Sequence, residues 1–221
     1  MSTAARHHAP PGASPTATPG KPLRRCLLQA AVAAAALGPL APARSLPARW
    51  LQDDASIWRR PRALWVTRPQ AQEAVRVVYW ADGIVEPAGH AALNHLYRDL
   101  SANAQHPIAL GLLDLNFALQ MAVWRWFGPR PLVLFSGYRT AATNARIGGT
   151  EPSVHALGIA DDFHYEGLSL NDNLRLARRY QVGGLGFYPD RGSLHKDIGR
   201  LRSWVTPGRH AESGREHASF R

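Results

Sequence analysis

Two histidines and an aspartate in the C-terminal half of the chain have the identities and spacing of metal ligands. His155 and Asp162 lie in the run Ser153-Val154-His155-Ala156-Leu157-Gly158-Ile159-Ala160-Asp161-Asp162, and His195 lies in His195-Lys196-Asp197. A catalytic zinc takes three protein ligands from among His, Asp, Glu and Cys and keeps one position open for water. His155 is expected on a loop and Asp162 on the strand after it, with Gly158 and Ala160 keeping the chain between them narrow, so that both converge on one face. His195 falls on a later short strand and, paired beside the first, would bring its imidazole to the same point. A zinc ion held there would lower the pKa of its water to about 7, giving a hydroxide able to attack an amide carbonyl.

Spacing alone leaves a second reading open. Ten histidines in one chain place some near carboxylates by chance, and a hydrogen-bonded structural His–Asp pair is a common arrangement. A serine triad built from Ser153, His155 and Asp162 is disfavoured, because the sequence has no Gly-x-Ser-x-Gly elbow around a nucleophile. Gly148-Gly149 and Gly183-Gly184-Leu185-Gly186 lack the lysine or the strand-to-helix context of a phosphate cradle, which excludes a nucleotide site.

The elements that must position these residues are legible from periodicity. Ala74 to Trp80 is rich in β-branched and aromatic residues and runs into Ala81-Asp82-Gly83, a strand entering a hairpin, with Ile84 and Val85 beginning the return strand. Leu93, Leu96, Tyr97 and Leu100 recur at helical spacing after Pro87, which suits a first turn, so a helix is expected from Pro87 to Leu100. A longer apolar helix runs from Leu110 to Phe127 and is stopped by Gly128 and Pro129. Pro131 to Phe135 reads as a buried strand leading into a polar loop. Gly158 to His164 alternates like a strand end, Ser169 caps a helix to Tyr180, and short strands follow at Gly184–Tyr188 and Ser193–Asp197. The expected fold class is α+β, a small antiparallel sheet with flanking helices in one domain over 62–205.

Both ends of the chain read differently. Residues 1–23 are rich in Ala, Pro, Ser, Thr and Gly, a composition that builds no core. Arg24-Arg25-Cys26-Leu27-Leu28, the apolar run from Ala30 to Leu40 and the small-x-small pattern Ala41-Pro42-Ala43 then follow the order of a signal peptide of twin-arginine type. The apolar run falls short of the roughly twenty residues that span a bilayer, so cleavage and no stable membrane anchor are expected. Cutting after Ala43 removes Arg6, Lys21, Arg24 and Arg25 and no acid, taking the formal charge from +10 to +6. The single cysteine, Cys26, leaves with the leader. Residues 44–61 are expected as a linker and 206–221 as a disordered tail. The basic balance draws the protein to polyanions, but no zinc-finger spacing, basic heptad region or aromatic nucleic-acid signature is present, so nucleic acid is not an expected partner.

Taken together, Ser136-Gly137-Tyr138-Arg139, Asn144, the Ser-x-His-x-x-Gly-x-Ala-x-Asp run ending at Asp162, Phe163-His164, Gly-x-Gly-Phe-Tyr-Pro from Gly184 and His195-x-Asp197-x-Gly199 resemble the murein endopeptidase K family. That family belongs with the zinc peptidases related to D-alanyl-D-alanine carboxypeptidases and the hedgehog domain. The resemblance extends upstream through Leu93-Asn94-His95-Leu96-Tyr97-Arg98-Asp99 and covers roughly Arg62 to Trp204. It implies a hedgehog-like fold, one zinc ion per chain on His155, Asp162 and His195, and hydrolysis of peptide cross-links between peptidoglycan stem peptides, by a monomer in the periplasm or cell envelope.

The resemblance also implies that Asp161 is a neighbour and not a ligand. Arg139 would hold a substrate carboxylate or steady the oxyanion, and Asp197 would orient a ligand or act as general base. Related carboxypeptidases carry a glutamate three residues before the last histidine, where this chain has Gly192. Ser193 and Lys196 replace apolar residues expected beside the last ligand, and the lysine should point away from the metal. Tyr138, Tyr188 and Phe187 would line the groove and Asn144 would bond the substrate backbone, or these four pack structurally. His95, Arg98, Asp99 and His164 read as structural, the Arg–Asp pair bracing a neighbouring loop from a helix. Three other activities fit parts of the pattern: a D-alanyl-D-alanine carboxypeptidase, a catalytically silent zinc fold that binds wall, and a glycan hydrolase using Asp161, Asp162 or Asp197.

Overall fold

The computed structural model describes residues 55–206. The leader over 1–43, most of the linker and all of the tail beyond residue 206 lie outside the described residues. Among the described residues no helix is long and apolar enough to cross a membrane.

After a 3-10 turn at Ala55–Arg59, strand β1 (Arg62–Arg68) and β2 (Glu73–Ala81) form an antiparallel hairpin, and β2 pairs with the two-residue β3 (Ile84–Val85). Leu64 and Val66 of β1 alternate into the core, the period-2 burial of a strand with one apolar face. Helix α1 (Pro87–Leu96) lies so close on β2 that a Cβ on Gly89 would stand 1.7 Å from the Val78 carbonyl oxygen. This helix ends at Leu96 instead of running to Leu100, because residues after Tyr97 turn into a bridge between Asp99 and Ala104. Arg98 and Asp99 therefore sit beyond the helix.

Helix α2 (Leu110–Phe127) carries the largest share of the core, including Leu112, Leu113, Leu115, Phe117, Leu119 and Val123. Its buried Gln120 bonds both the amide and the carbonyl of Trp65, docking the helix on β1. Then follow β4 (Leu132–Ser136), the short α3 (Ala141–Arg146), β5 (Ala160–Tyr165), α4 (Leu170–Arg179), β6 (Gly184–Tyr188), β7 (Ser193–Asp197) and β8 (Arg202–Val205). Ser169 caps α4 by accepting from the Asp172 amide, and Thr140 caps α3 by accepting from the Thr143 amide.

The α+β class stands, but the sheet is neither small nor wholly antiparallel. It has eight strands in the order β3-β2-β1-β4-β5-β7-β6-β8, and two pairings, β1 with β4 and β6 with β8, are parallel. Both parallel contacts bring together segments far apart in sequence, which local periodicity does not reveal. Strands β1 and β8 and helix α3 were not foreseen from the sequence.

One row of residues crosses five strands of this sheet. Ser136 of β4 stands opposite Asp162 of β5, Asp162 opposite His195 of β7, His195 opposite Gly186 of β6, and Gly186 opposite Trp204 of β8. A register shift between Leu134 and Ser136 sets the first of these pairs. Because successive side chains alternate in direction, this row is one face of the sheet, while the neighbouring row of Asp161, Lys196 and Leu185 turns toward the helices.

Candidate metal centre

His155 reaches the row from a turn between α3 and β5. Its imidazole meets Asp162 and His195, and one donor atom from each residue lies within 4.8 Å of the others. His155 Nε2 is 3.1 Å from His195 Nδ1 and 3.5 Å from Asp162 Oδ1, and His195 Nδ1 is 3.1 Å from the same carboxylate oxygen. Both imidazoles are buried and Asp162 is partly so.

The outer nitrogen of each ring fixes what the inner one can offer. His155 Nδ1 is 2.7 Å from the Gly137 carbonyl oxygen, and His195 Nε2 is 2.9 Å from Asp197 Oδ2. A carbonyl and a carboxylate only accept, so both outer nitrogens carry the hydrogen and donate it. In the neutral tautomers so assigned, the two inner nitrogens present bare lone pairs to one another and to Asp162 Oδ1. Three lone pairs at such distances repel unless a cation lies among them. Two neutral imidazoles and one carboxylate, each ring braced behind, are the donor set and support of a zinc site. These residues fit the group.

Without a metal the same contacts shift the titrating groups. Burial alone would raise the Asp162 carboxyl, but the charges and hydrogen bonds of His155 and His195 outweigh it and hold the group well below the usual carboxylate range. Burial works to lower His195, yet its hydrogen bonds to Asp162 and Asp197 raise it above the ordinary imidazole value.

Asp197 lies behind His195, 1% exposed. Beyond the imidazole, its oxygens accept from the Gly184 and Gly199 amides at 2.9 and 2.8 Å and from both terminal nitrogens of Arg202. Burial raises its carboxyl, and the His195 and Gly184 hydrogen bonds overcome this and leave it well below the carboxylate range. Arg139 stands on the other flank, its Nε donating to Ser136 Oγ at 2.8 Å and one terminal nitrogen donating to Asp162 Oδ2. Its second terminal nitrogen makes no bond within the described fold.

On the helix face, Asp161 is fully buried. It accepts from Lys196 Nζ at 2.5 Å, Asn116 Nδ2 at 2.8 Å and the Tyr97 hydroxyl at 3.2 Å. Lys196 also lies 3.2 Å from the centre of the Phe163 ring, and burial pushes its ammonium down to about 8 against the pull of Asp161. The lysine thus points away from the candidate ligands.

The remaining residues singled out from the sequence divide. Tyr188 is half-buried on the row's face of β6, with its hydroxyl 3.2 Å from Trp204 Nε1, whereas Phe187 packs into the core on the opposite face. Tyr138 stacks on His106 with ring centres 4.9 Å apart. Asn144, expected at the substrate backbone, is instead 1% exposed, and its amide donates to the Thr150 carbonyl and Glu151 Oε1, closing its own loop. Arg98 and Asp99 do not pair with each other. Arg98 holds Glu73 of β2, and Asp99 accepts from the amide and hydroxyl of Thr140, the residue after Arg139. Burial opposes ionisation of Asp99, but hydrogen bonds from Thr143 and Thr140 draw it down to about 2. Sequence reasoning missed Trp204, whose ring centre is 5.2 Å from that of His195. Its signal is long-range, since only the parallel pairing of β8 with β6 carries it to the row.

Comparison with known proteins gives a consistent picture. A family profile described as peptidoglycan L,D-endopeptidase MepK matches residues 57–204. The peptidoglycan L,D-endopeptidase MepK of Escherichia coli (strain K12) is 34% identical over 151 residues, 66% of this chain and 81% of that protein. The Shigella flexneri protein of the same name matches to the same extent. A Haemophilus influenzae protein named "Probable peptidoglycan L,D-endopeptidase MepK" is 31% identical over 125 residues, 53% of this chain and 65% of its own length.

Proposed function

Because the chain belongs to the peptidoglycan L,D-endopeptidase MepK family, we propose that it hydrolyses L,D-bonds in the peptide cross-links of peptidoglycan, with one zinc ion held by His155, Asp162 and His195. The observation that carries this reading is the convergence of two imidazole lone pairs and a carboxylate oxygen, with both outer ring nitrogens tied to acceptors.

The chemistry a bound zinc supplies is Lewis acidity toward the scissile carbonyl and acidification of a water. Around it, Arg139 keeps one terminal nitrogen for a substrate oxygen, either a stem-peptide carboxylate or the charge that develops on the carbonyl. Asp197 orients His195 and stabilises its donating tautomer. Its burial and its occupied oxygens favour that role over proton transfer with the substrate. The leader and the basic balance of the chain support export and action at the wall, with electrostatic attraction confined to about 8 Å at physiological salt. There, cutting cross-links opens the mesh for insertion of new strands.

The test is mass-spectrometric analysis of cross-linked muropeptide dimers incubated with the purified protein, with chelator and after zinc restoration. Conversion of dimers to monomers that stops with chelator and returns with zinc is the expected result. Persistence of dimers with zinc bound refutes the endopeptidase. Loss of terminal D-alanine would then indicate the carboxypeptidase, and no change a silent zinc fold.

A further inference from the structure

Trp204 ends the row that crosses the sheet, and it touches Gly186, His195, Arg202 and Tyr188. Its indole covers Gly186, where a Cβ would come within 2.6 Å of the ring carbons, so the residue opposite His195 on β6 must lack a side chain for the indole to lie there. The ring is tilted 46° to that of His195, and the Arg202 guanidinium, which also holds Asp197, stands 5.1 Å from the ring centre. At its outer end, Nε1 is 3.2 Å from the Tyr188 hydroxyl oxygen.

An indole nitrogen only donates. The Tyr188 oxygen is therefore the acceptor in this bond, and its own hydrogen is left without an acceptor in the described fold. That hydroxyl stands on the face of β6 that carries Gly186, the face shared by Asp162 and His195. Arg139, attached to Ser136 and Asp162, offers its unused terminal nitrogen from the β4 side of the same row. Two unused donors thus bracket the ligand set, one from each side.

We propose that Trp204 is a positioning residue that aims the Tyr188 O–H over the face of the sheet that carries Asp162 and His195. Tyr188 then donates to a carbonyl or carboxylate oxygen of the stem peptide, opposite Arg139. This rests on the endopeptidase reading for the identity of the substrate, while the geometry of the donor stands apart from whether the bond is cut.

The experiment is a double-mutant cycle of Trp204→Phe and Tyr188→Phe in the purified protein. It is read by calorimetric binding of an uncross-linked stem tetrapeptide, by kcat and KM on muropeptide dimers, by zinc affinity and by melting temperature. Trp204→Phe keeps an aromatic ring beside His195 and removes the N–H together with part of the indole that lies over Gly186. Each single variant is expected to weaken tetrapeptide binding about tenfold, the scale of one hydrogen bond. The double variant should bind no worse than Tyr188→Phe, with zinc affinity unchanged and a cooperative melting transition retained. Parental binding and turnover in Trp204→Phe would overturn the inference, as would losses that multiply in the double variant. Tetrapeptide binding by the parent with no chelator-sensitive cleavage would refute the endopeptidase instead, and the cycle would still decide the Tyr188 donor through binding.

Discussion

Replacing Lys196 with Met would leave one of the most deeply buried charges in the domain without its partner. Asp161 is fully buried, and Lys196 is the donor to its Oδ1, while Asn116 and the Tyr97 hydroxyl serve Oδ2. Removing one member of a buried ion pair costs about 3–5 kcal/mol, because the other charge stays desolvated. For a domain of this size, at about 2–4 °C per kcal/mol, the melting temperature should fall by roughly 6–20 °C. Removing both charges is different: Lys196→Met with Asp161→Asn keeps the Asn116 and Tyr97 contacts satisfiable and leaves only a neutral buried amide N–H group unpaired, so it should recover to within about 1–3 kcal/mol of the parent. Melting followed by circular dichroism, in chelator so that metal binding does not contribute, measures both. If the single variant melts within about 2 °C of the parent, or the double variant is less stable than the single, the ion pair does not carry the weight assigned to it.

Three further outcomes are expected. Asp197→Asn should weaken zinc binding about 10–100-fold in competition with a chromophoric chelator, because an amide no longer fixes the His195 tautomer. Gly89→Ala should lower the unfolding free energy from guanidinium titration by about 1–3 kcal/mol, since the added Cβ meets the Val78 backbone oxygen and α1 must move off β2. The metal-free protein should be most stable between about pH 4 and 6.5. His195 is raised in the fold, so its contribution is full below the unfolded value of about 6.5 and is lost as pH rises through the folded one; Asp162 and Asp197 are depressed, so theirs is full above about 3.9 and is lost as pH falls. Zinc should stabilise more as the imidazoles lose protons. Melting curves with chelator and with zinc from pH 4 to 9 check this, and a metal-free melting temperature that climbs from pH 6.5 to 8.5 would contradict it.

What the sequence made legible depended on how local the cause was. Helix α2 runs from Leu110 to Phe127 as its periodicity and the Gly128-Pro129 stop require, and β6 and β7 have the bounds their patterns imply. Strand β1 carries the same alternation in Leu64 and Val66, but arginines at both ends disguise it. Arg68 is buried, and its guanidinium bonds the Leu96 and Arg98 carbonyl oxygens at 2.6 Å, at the end of α1, which reverses the usual reading of arginine as surface. Strand β8 acquires its identity only by pairing with β6. The candidate site divides in the same way. Ligand types and spacing pointed to His155, Asp162 and His195, whereas the bonds that engage Asn144 in its own loop and suspend Tyr188 from Trp204 exist only after folding.

The adjacent aspartates on β5 face opposite sides of the sheet, so the register of β5 against β7 decides which of them joins the histidines. A slip of one residue in this antiparallel pair would set either Asp161 opposite His195 with Ala160 opposite Lys196, or Asp162 opposite Lys196 with Phe163 opposite His195. Either way the lysine or the histidine loses the carboxylate that faces it. The same slip would turn Phe163 and Tyr165 out of the core and bury His164 in their place. Two neighbouring acids with different partners thus reject a misregistered strand from the polar side, as the two rings reject it from the core.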